Sequence, residues 1–315
     1  MLFRSKARAL HYCWEKTVSD IDDNAWIVHL DEETLMTESS LIGILNFIHE
    51  QDGDLGQGVI TYANEDIVNW NTTLADSIRV SVDYGQLRLS FNLFKQPLFS
   101  WKGSFAVVKA SVEKAITFDF GPEGSIAEDC FFAMKAYAHG YRFGFIQGEM
   151  WEKSTFSFMD YVKQRRRWFQ GLYLTLKSSA IPCQCKYGLF FMVTSGALLP
   201  ITTTGAIMGF VFPTPKWLLM DALGACMSAS FLFFFVFGAI KSFSFERLGT
   251  FRFTLRIICT VLNLPYVILA ENVALIWAIF SSKTTFHVVQ KTISVNKVNG
   301  ESMGKKKAKK KGIIV

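Results

Sequence analysis

The chain has 315 residues, of which 50% are hydrophobic, 15% aromatic and 19% charged, the last below the roughly 25% of ordinary soluble proteins. That composition excludes a disordered chain and is unusual for an enzyme that is soluble throughout. The formal net charge of +6 is carried by Lys305, Lys306, Lys307, Lys309, Lys310 and Lys311; without them basic and acidic residues balance, so global charge gives no argument for nucleic-acid binding.

Residues 1–10 are basic but lack the apolar core of a signal peptide, and 7–14 read as an amphipathic surface helix. Residues 25–30 (AWIVHL) read as a buried strand that stops at Asp31-Glu32-Glu33-Thr34. Residues 38–50 follow as a helix with Leu41, Leu45 and Ile48 on one face. The glycine-rich 53–58 precedes a strand and opens no helix, so it reads as a turn and not as a phosphate loop. Strand 58–62 and helix 69–80 come next; the Asn71-Thr72-Thr73 sequon would go unused in a cytosolic helix. A loop at 97–103 leads to strand 104–109, then helix 128–139 and a strand beginning at 143. Residues 1–180 thus form an α/β domain with ligands expected at the strand C-termini.

The second half is apolar. Residues 188–212 carry no charge, 217–240 carry only Asp221, and 255–280 carry Arg256 and Glu271. Each run exceeds the ~20 residues that cross a bilayer, which defines a membrane domain at 181–282. The third run is the weakest crossing, because it holds Asn263, Pro265, Glu271 and Asn272; a charge at the membrane centre costs about 2.5–3.5 kcal/mol. It reads as a broken helix, a re-entrant hairpin or an interfacial segment. The basic loop 241–256 points to the cytosol. A hairpin at 255–280 would bring the basic tail, 283–315, back to that side, and this is the preferred topology. The tail is expected to be disordered and drawn to anionic lipid by about 1 kcal/mol per lysine. The six cysteines show no metal-ligand spacing and no disulfide framework. Cys226 and Cys259 are expected to be buried thiols, while Cys183 and Cys185, beside the first run, are candidates for palmitoylation.

Three motifs carry chemistry. Asp31 and Glu33, two apart at a strand end, suit a hard divalent cation, Mg²⁺ or Mn²⁺, bridging to a diphosphate; acids opening a helix would also stabilise its dipole. Glu128-Asp129 opens a helix, where a carboxylate can act as a general base or merely favour the first turn. Gln164-Arg165-Arg166-Arg167-Trp168 combines diphosphate-binding guanidinium groups with a ring for sugar stacking, or else snorkelling arginines at a membrane edge.

Taken together, strand–DxE, then ED, then QxxRW, then membrane helices resembles the family-2 inverting glycosyltransferases of GT-A fold. The stretches WIVHLDEETL, GVITYANEDIVNW, LFSWKGSFAVV, GSIAEDCFFAMKAYAHGY, QRRRWFQG, IKSFSFERLGTFRF and AENVALIW resemble, within that group, the egghead-type β-1,4-mannosyltransferases of invertebrate glycosphingolipid synthesis. The likeness runs from about residue 7 to 290. It implies a partial GT-A domain followed by transmembrane helices, in a multi-pass protein of the Golgi or endoplasmic reticulum with its transferase domain in the cytosol. It further implies mannose transfer from GDP-mannose to glucosylceramide, with Asp31 and Glu33 on the metal, Asp129 as base and Glu128 in support. Gln164, Arg167 and Trp168 would hold diphosphate and acceptor sugar, and Trp101, Gly103 and Ser104 would line the acceptor side.

Glu33 stands where the wider family has Asp. The resemblance also leads one to expect membrane helices and a nucleotide-recognising strand–helix unit ahead of Asp31, so the chain reads as an N-terminally truncated form. The alternatives are a UDP-sugar transferase, such as a ceramide glucosyltransferase or a polysaccharide synthase, and a non-catalytic membrane subunit.

Overall fold

A computed structural model describes residues 6–281 apart from 18, 19, 65, 119, 125 and 213–216; the basic tail lies outside the described residues. Four strands form one mixed sheet: β1 (Trp26–His29), β2 (Leu55–Thr61), β3 (Ala106–Lys109) and β4 (Phe143–Trp151). Their order is β1-β3-β2-β4. β3 runs antiparallel to β1 and β2, and β2 runs parallel to β4. All seven residues of β2 are buried, as expected of a strand covered on both faces.

The helices of the α/β domain are α1 (Lys6–Lys16), α2 (Glu38–Glu50), α3 (Trp70–Ala75), α4 (Ser77–Val82), α5 (Arg88–Asn92), α6 (Ala110–Ile116), α7 (Gly121–Gly124), α8 (Glu128–Ala138) and α9 (Phe158–Lys177). A π-helical turn, Asp83–Leu87, joins α4 to α5. The C-terminal helices are α10 (Tyr187–Val211), α11 (Leu218–Ser242), α12 (Phe245–Leu262) and α13 (Leu264–Phe280).

Three local expectations change. The segment 53–58 is not a turn, since its last four residues belong to β2. Its glycines leave room for rings: a Cβ on Gly56 would lie 2.7 Å from Phe47 Cε1, and one on Gly58 would lie 2.2 Å from Phe105 Cε1. In α2, Leu41 and Leu45 are exposed, and the buried face is Ser40, Gly43, Ile44 and Phe47. Gly43 sets that orientation, because its Cβ position falls 1.8 Å from the Gln147 carbonyl oxygen of β4. Cys226 is exposed and Cys259 half-buried; an apolar helix that faces lipid turns its side chains outward.

α10 and α11 are each long and apolar enough to cross a membrane, and α12 with α13 makes a third candidate bent by 44° at Asn263. The α/β domain grips these helices directly. α11 lies against α4 so closely that a Cβ on Gly238 would sit 1.8 Å from Ser77 O. Lys241 lies over the Tyr84 ring at 5.1 Å and Arg256 over Trp70 at 3.7 Å. Asn263 Nδ2 donates to Asn71 O at 2.8 Å. Lys241, Arg247 and Arg256 thus lie against the α/β domain.

Candidate active site

The C-terminal ends of β1, β2 and β4 and the start of β3 share one edge of the sheet, as the register of the pairings requires. The chain leaves β1 there in a tight turn, Asp31–Thr34, closed by Thr34 N–H donating to Asp31 O at 3.0 Å. It then crosses to the far strand, where Leu35 and Trp151 exchange backbone hydrogen bonds of 2.8 and 3.0 Å. A relay of hydroxyls holds the turn. The Asp31 N–H donates to Ser104 Oγ at 3.2 Å, Ser104 Oγ and Thr34 Oγ1 are 2.7 Å apart, and Thr34 Oγ1 donates to the buried Glu152 at 2.7 Å. Ser104 thus positions Asp31.

Asp31 meets the second acidic motif across Gly103. Lys6, from α1, donates to Asp31 Oδ1 and to Gly103 O, and the charges of Glu128 and Asp129 also act on it. Burial pulls the Lys6 pKa down, but the three carboxylates outweigh that and leave it raised. Gly103 makes the approach possible: a Cβ there would fall 2.9 Å from Lys6 Nζ and 3.3 Å from Asp129 Oδ2. Lys6, Gly103, Glu128 and Asp129, together with Trp101, His29 and Phe132, line a pocket of about 20 Å³, room for about one water; Asp31 reaches it through Lys6.

Asp129 is held by its own helix, with Oδ1 accepting from the Cys130 N–H at 2.8 Å. Burial raises its pKa, opposed by Lys6 and by Arg167. Burial, and then the charge of Asp129, push Glu128 up to about 7. Between its ordinary value and pH 7 the folded protein therefore holds a proton that the unfolded chain has released. Stability from this group is fully present below the ordinary carboxylate pKa and falls as pH rises towards 7. Glu128→Gln should accordingly raise the apparent melting temperature in detergent at about pH 8 and leave it unchanged near pH 4.5; an equal gain at both would remove Glu128 as the source.

The third motif sorts its members. Gln164 points inward and is 9% exposed. Arg167 lies near enough for its charge to act on Glu128 and Asp129. Trp168 is half-buried, with the guanidinium groups of Arg79 and Arg165 at 4.5 and 4.6 Å from its ring. Arg165 and Arg166 turn the other way: Arg165 pairs with Asp76 and Glu271, and Arg166 lies over Trp277. Trp101 is 5% exposed, edge-on to Phe91 and Phe143, so most of its ring belongs to the core.

For a divalent cation the fit is partial and of a familiar kind. Asp31 and Glu33 stand in one turn and carry hard oxygen donors, but Asp31 Oδ1 is paired with Lys6, and among the described residues no group of three or more His, Cys, Asp or Glu is arranged to hold a metal ion. The remaining ligands would be diphosphate and water, as is usual for Mg²⁺. In the sequence Lys6 stands as one basic residue of 1–10, just ahead of the amphipathic helix expected at 7–14, and its spacing to Asp31 signals nothing. The packing of Arg79 was equally hidden.

The family described as glycosyl transferase family group 2 matches residues 26–281. The chain is 50% identical over 290 residues to beta-1,4-mannosyltransferase egh of Drosophila melanogaster, covering 92% of this chain and 64% of that protein. It is 46% identical over 289 residues to beta-1,4-mannosyltransferase bre-3 of Caenorhabditis elegans and of Caenorhabditis briggsae, covering 91% of this chain and 64% of each. The chain thus spans just under two thirds of the length of the curated relatives it matches.

Proposed function

The chain belongs to glycosyl transferase family group 2, and on that premise we propose that it moves mannose from GDP-mannose to glucosylceramide with inversion, forming a β-1,4 linkage at a membrane surface. The observation that carries this reading is the meeting of Asp31, Glu128 and Asp129 around Lys6, in a chain half identical to a beta-1,4-mannosyltransferase. The acceptor hydroxyl gives its proton to the Asp129 carboxylate. Its oxygen bonds to the anomeric carbon from the face opposite the diphosphate, and the bond to the diphosphate breaks. Asp31 and Glu33 are the residues that would hold a divalent cation, which when bound neutralises charge on the diphosphate. Lys6 and Arg167 add fixed positive charge where the leaving group develops negative charge. Ser104 keeps Asp31 in place, and Gly103 keeps the Lys6–Asp129 approach open. Glu128 supports the placement of Asp129, and Gln164 and Trp168 border the sugar.

The membrane helices keep a two-chain lipid acceptor in the bilayer, which avoids the large cost of drawing its acyl chains into water. In this reading the protein is a multi-pass protein of the Golgi or endoplasmic reticulum with its α/β domain in the cytosol. The test is transfer by membranes carrying the chain, given glucosylceramide with either GDP-mannose or UDP-glucose. A mannosylated lipid from GDP-mannose alone is expected. Product from UDP-glucose alone would replace the donor assignment, and no product from either would defeat the transferase reading.

A further inference from the structure

A second opening lies across the Asp31–Thr34 turn from the acidic pocket. It is a groove of about 460 Å³ lined by Leu35, Asn64, Asp66, Trp151 and Arg247, a volume in the range of small-ligand sites. Its residues come from four places the fold brings together: Leu35 after the Asp31 turn, Asn64 and Asp66 in the segment after β2, Trp151 at the end of β4, and Arg247 at the start of α12. Arg247 is fixed there by donating to Ala63 O and Asn64 O, both at 3.1 Å. Trp151 is half-buried and pinned through its backbone to Leu35. The next residue, Glu152, receives the hydroxyl of Thr34. One wall of the groove is therefore continuous with the turn that carries Asp31 and Glu33.

The other wall belongs to the membrane domain. Arg247 follows closely on Ser242, where α11 ends against α4. On either side of it α12 presents Phe245, Phe251, Leu255 and Ile258 to the outside, Phe251 at 80% exposure. Arginines spaced along a helix, here Arg247, Arg252 and Arg256, beside an exposed apolar flank are the pattern of a helix lying at a lipid–water boundary. The groove therefore opens at the level where a lipid headgroup stands, beside an apolar surface for its chains.

We propose that this groove receives the hexosyl headgroup of a membrane-anchored acceptor beside the Asp31–Thr34 turn. The assignment rests on the transferase reading above and adds where the acceptor's headgroup docks. An indole face, a fixed guanidinium and the Asn64 and Asp66 side chains are the groups that bind a neutral sugar: apolar stacking on the ring, donors and acceptors for its hydroxyls. A charged headgroup would find Arg247 and Asp66 opposed. A bare acyl chain would leave both without use.

Two measurements on the full chain in membranes decide it. In the first, Trp151→Ala and Arg247→Ala are assayed over a range of glucosylceramide and of GDP-mannose. The acceptor KM should rise about tenfold, as loss of a stacking face and its contacts predicts, while the donor KM stays within about twofold. An unchanged acceptor KM in both variants overturns the proposal. In the second, a photoreactive benzoylphenylalanine replaces Leu35, which is 50% exposed, in an otherwise unaltered chain, so that folding of the first variants is not at issue. Vesicles contain either glucosylceramide or ceramide. Crosslinking that needs the sugar supports the groove; equal crosslinking to ceramide, or none to either, overturns it. If the unaltered chain transfers no mannose yet crosslinks only the glycosylated lipid, the proposed function falls and the groove stands.

Discussion

Asp129→Asn should lower mannosyl transfer by roughly 10²- to 10⁴-fold, the range for removing a general base, with KM for GDP-mannose little changed. The substitution is close to isosteric. An Asn side-chain oxygen can still accept from the Cys130 N–H, as Asp129 Oδ1 does at 2.8 Å, so the start of α8 keeps its geometry. What disappears is the ability to take a proton. Burial already raises the Asp129 pKa, which moves a carboxylate towards the pKa that serves a base best. Removing a buried charge does not weaken the fold by itself, so the apparent melting temperature should stay level or rise. Near-normal transfer by Asp129→Asn would end its assignment as base and move attention to Glu128, which lies beside it with its own pKa raised by burial. Gly103→Ala is the complementary probe: it keeps every charge and adds a methyl 2.9 Å from Lys6 Nζ, so it should slow transfer through geometry alone.

The acidic motifs were legible because they fall where secondary structure changes. Asp31 ends an apolar strand, Glu128 and Asp129 open a helix, and both boundaries follow from hydrophobic periodicity. The QRRRW segment was legible as a motif, but its side-chain directions were not. On α9 Arg165 and Arg167 lie two residues apart and so face different neighbours; only the packing shows that one meets the membrane helix and the other comes near Glu128 and Asp129. Lys6 was illegible for a different reason. Nothing local distinguishes a lysine that swings over Asp31 from one that faces water, because their contact depends on how α1 lies against β1 and β3. The antiparallel sense of β3 is illegible likewise: strand direction is a tertiary property, and its AVVK sequence reads alike in either sense.

Glu271, an acid in an apolar run, is answered by that packing and leads to a second strong expectation. Its carboxylate accepts from Tyr161 OH at 2.9 Å and pairs with Arg165 Nε at 3.1 Å. Arg165 in turn donates to Asp76 at 2.7 Å. The side chains of Asp76 and Arg165 are 1% and 10% exposed. One guanidinium thus ties α13, α9 and the α3–α4 corner together, and it lies 4.6 Å from the Trp168 ring. Breaking a buried pair by removing one partner costs about 3–5 kcal/mol, because the other charge stays behind. Arg165→Met should cost about that much, since Asp76 would keep only Arg79 at 3.5 Å. The protein would show it as a shorter half-life in detergent at raised temperature, the proper measure where unfolding is irreversible. Adding Asp76→Asn and Glu271→Gln to Arg165→Met should restore much of the loss, because no stranded charge remains. Arg167→Met is the contrast: its guanidinium acts on Glu128 and Asp129, so it should reduce transfer far more than half-life. A single Arg165→Met as durable as the unaltered chain, or a triple variant no better than the single, would show that the ion pairs are incidental and that apolar packing alone joins α9 to α13.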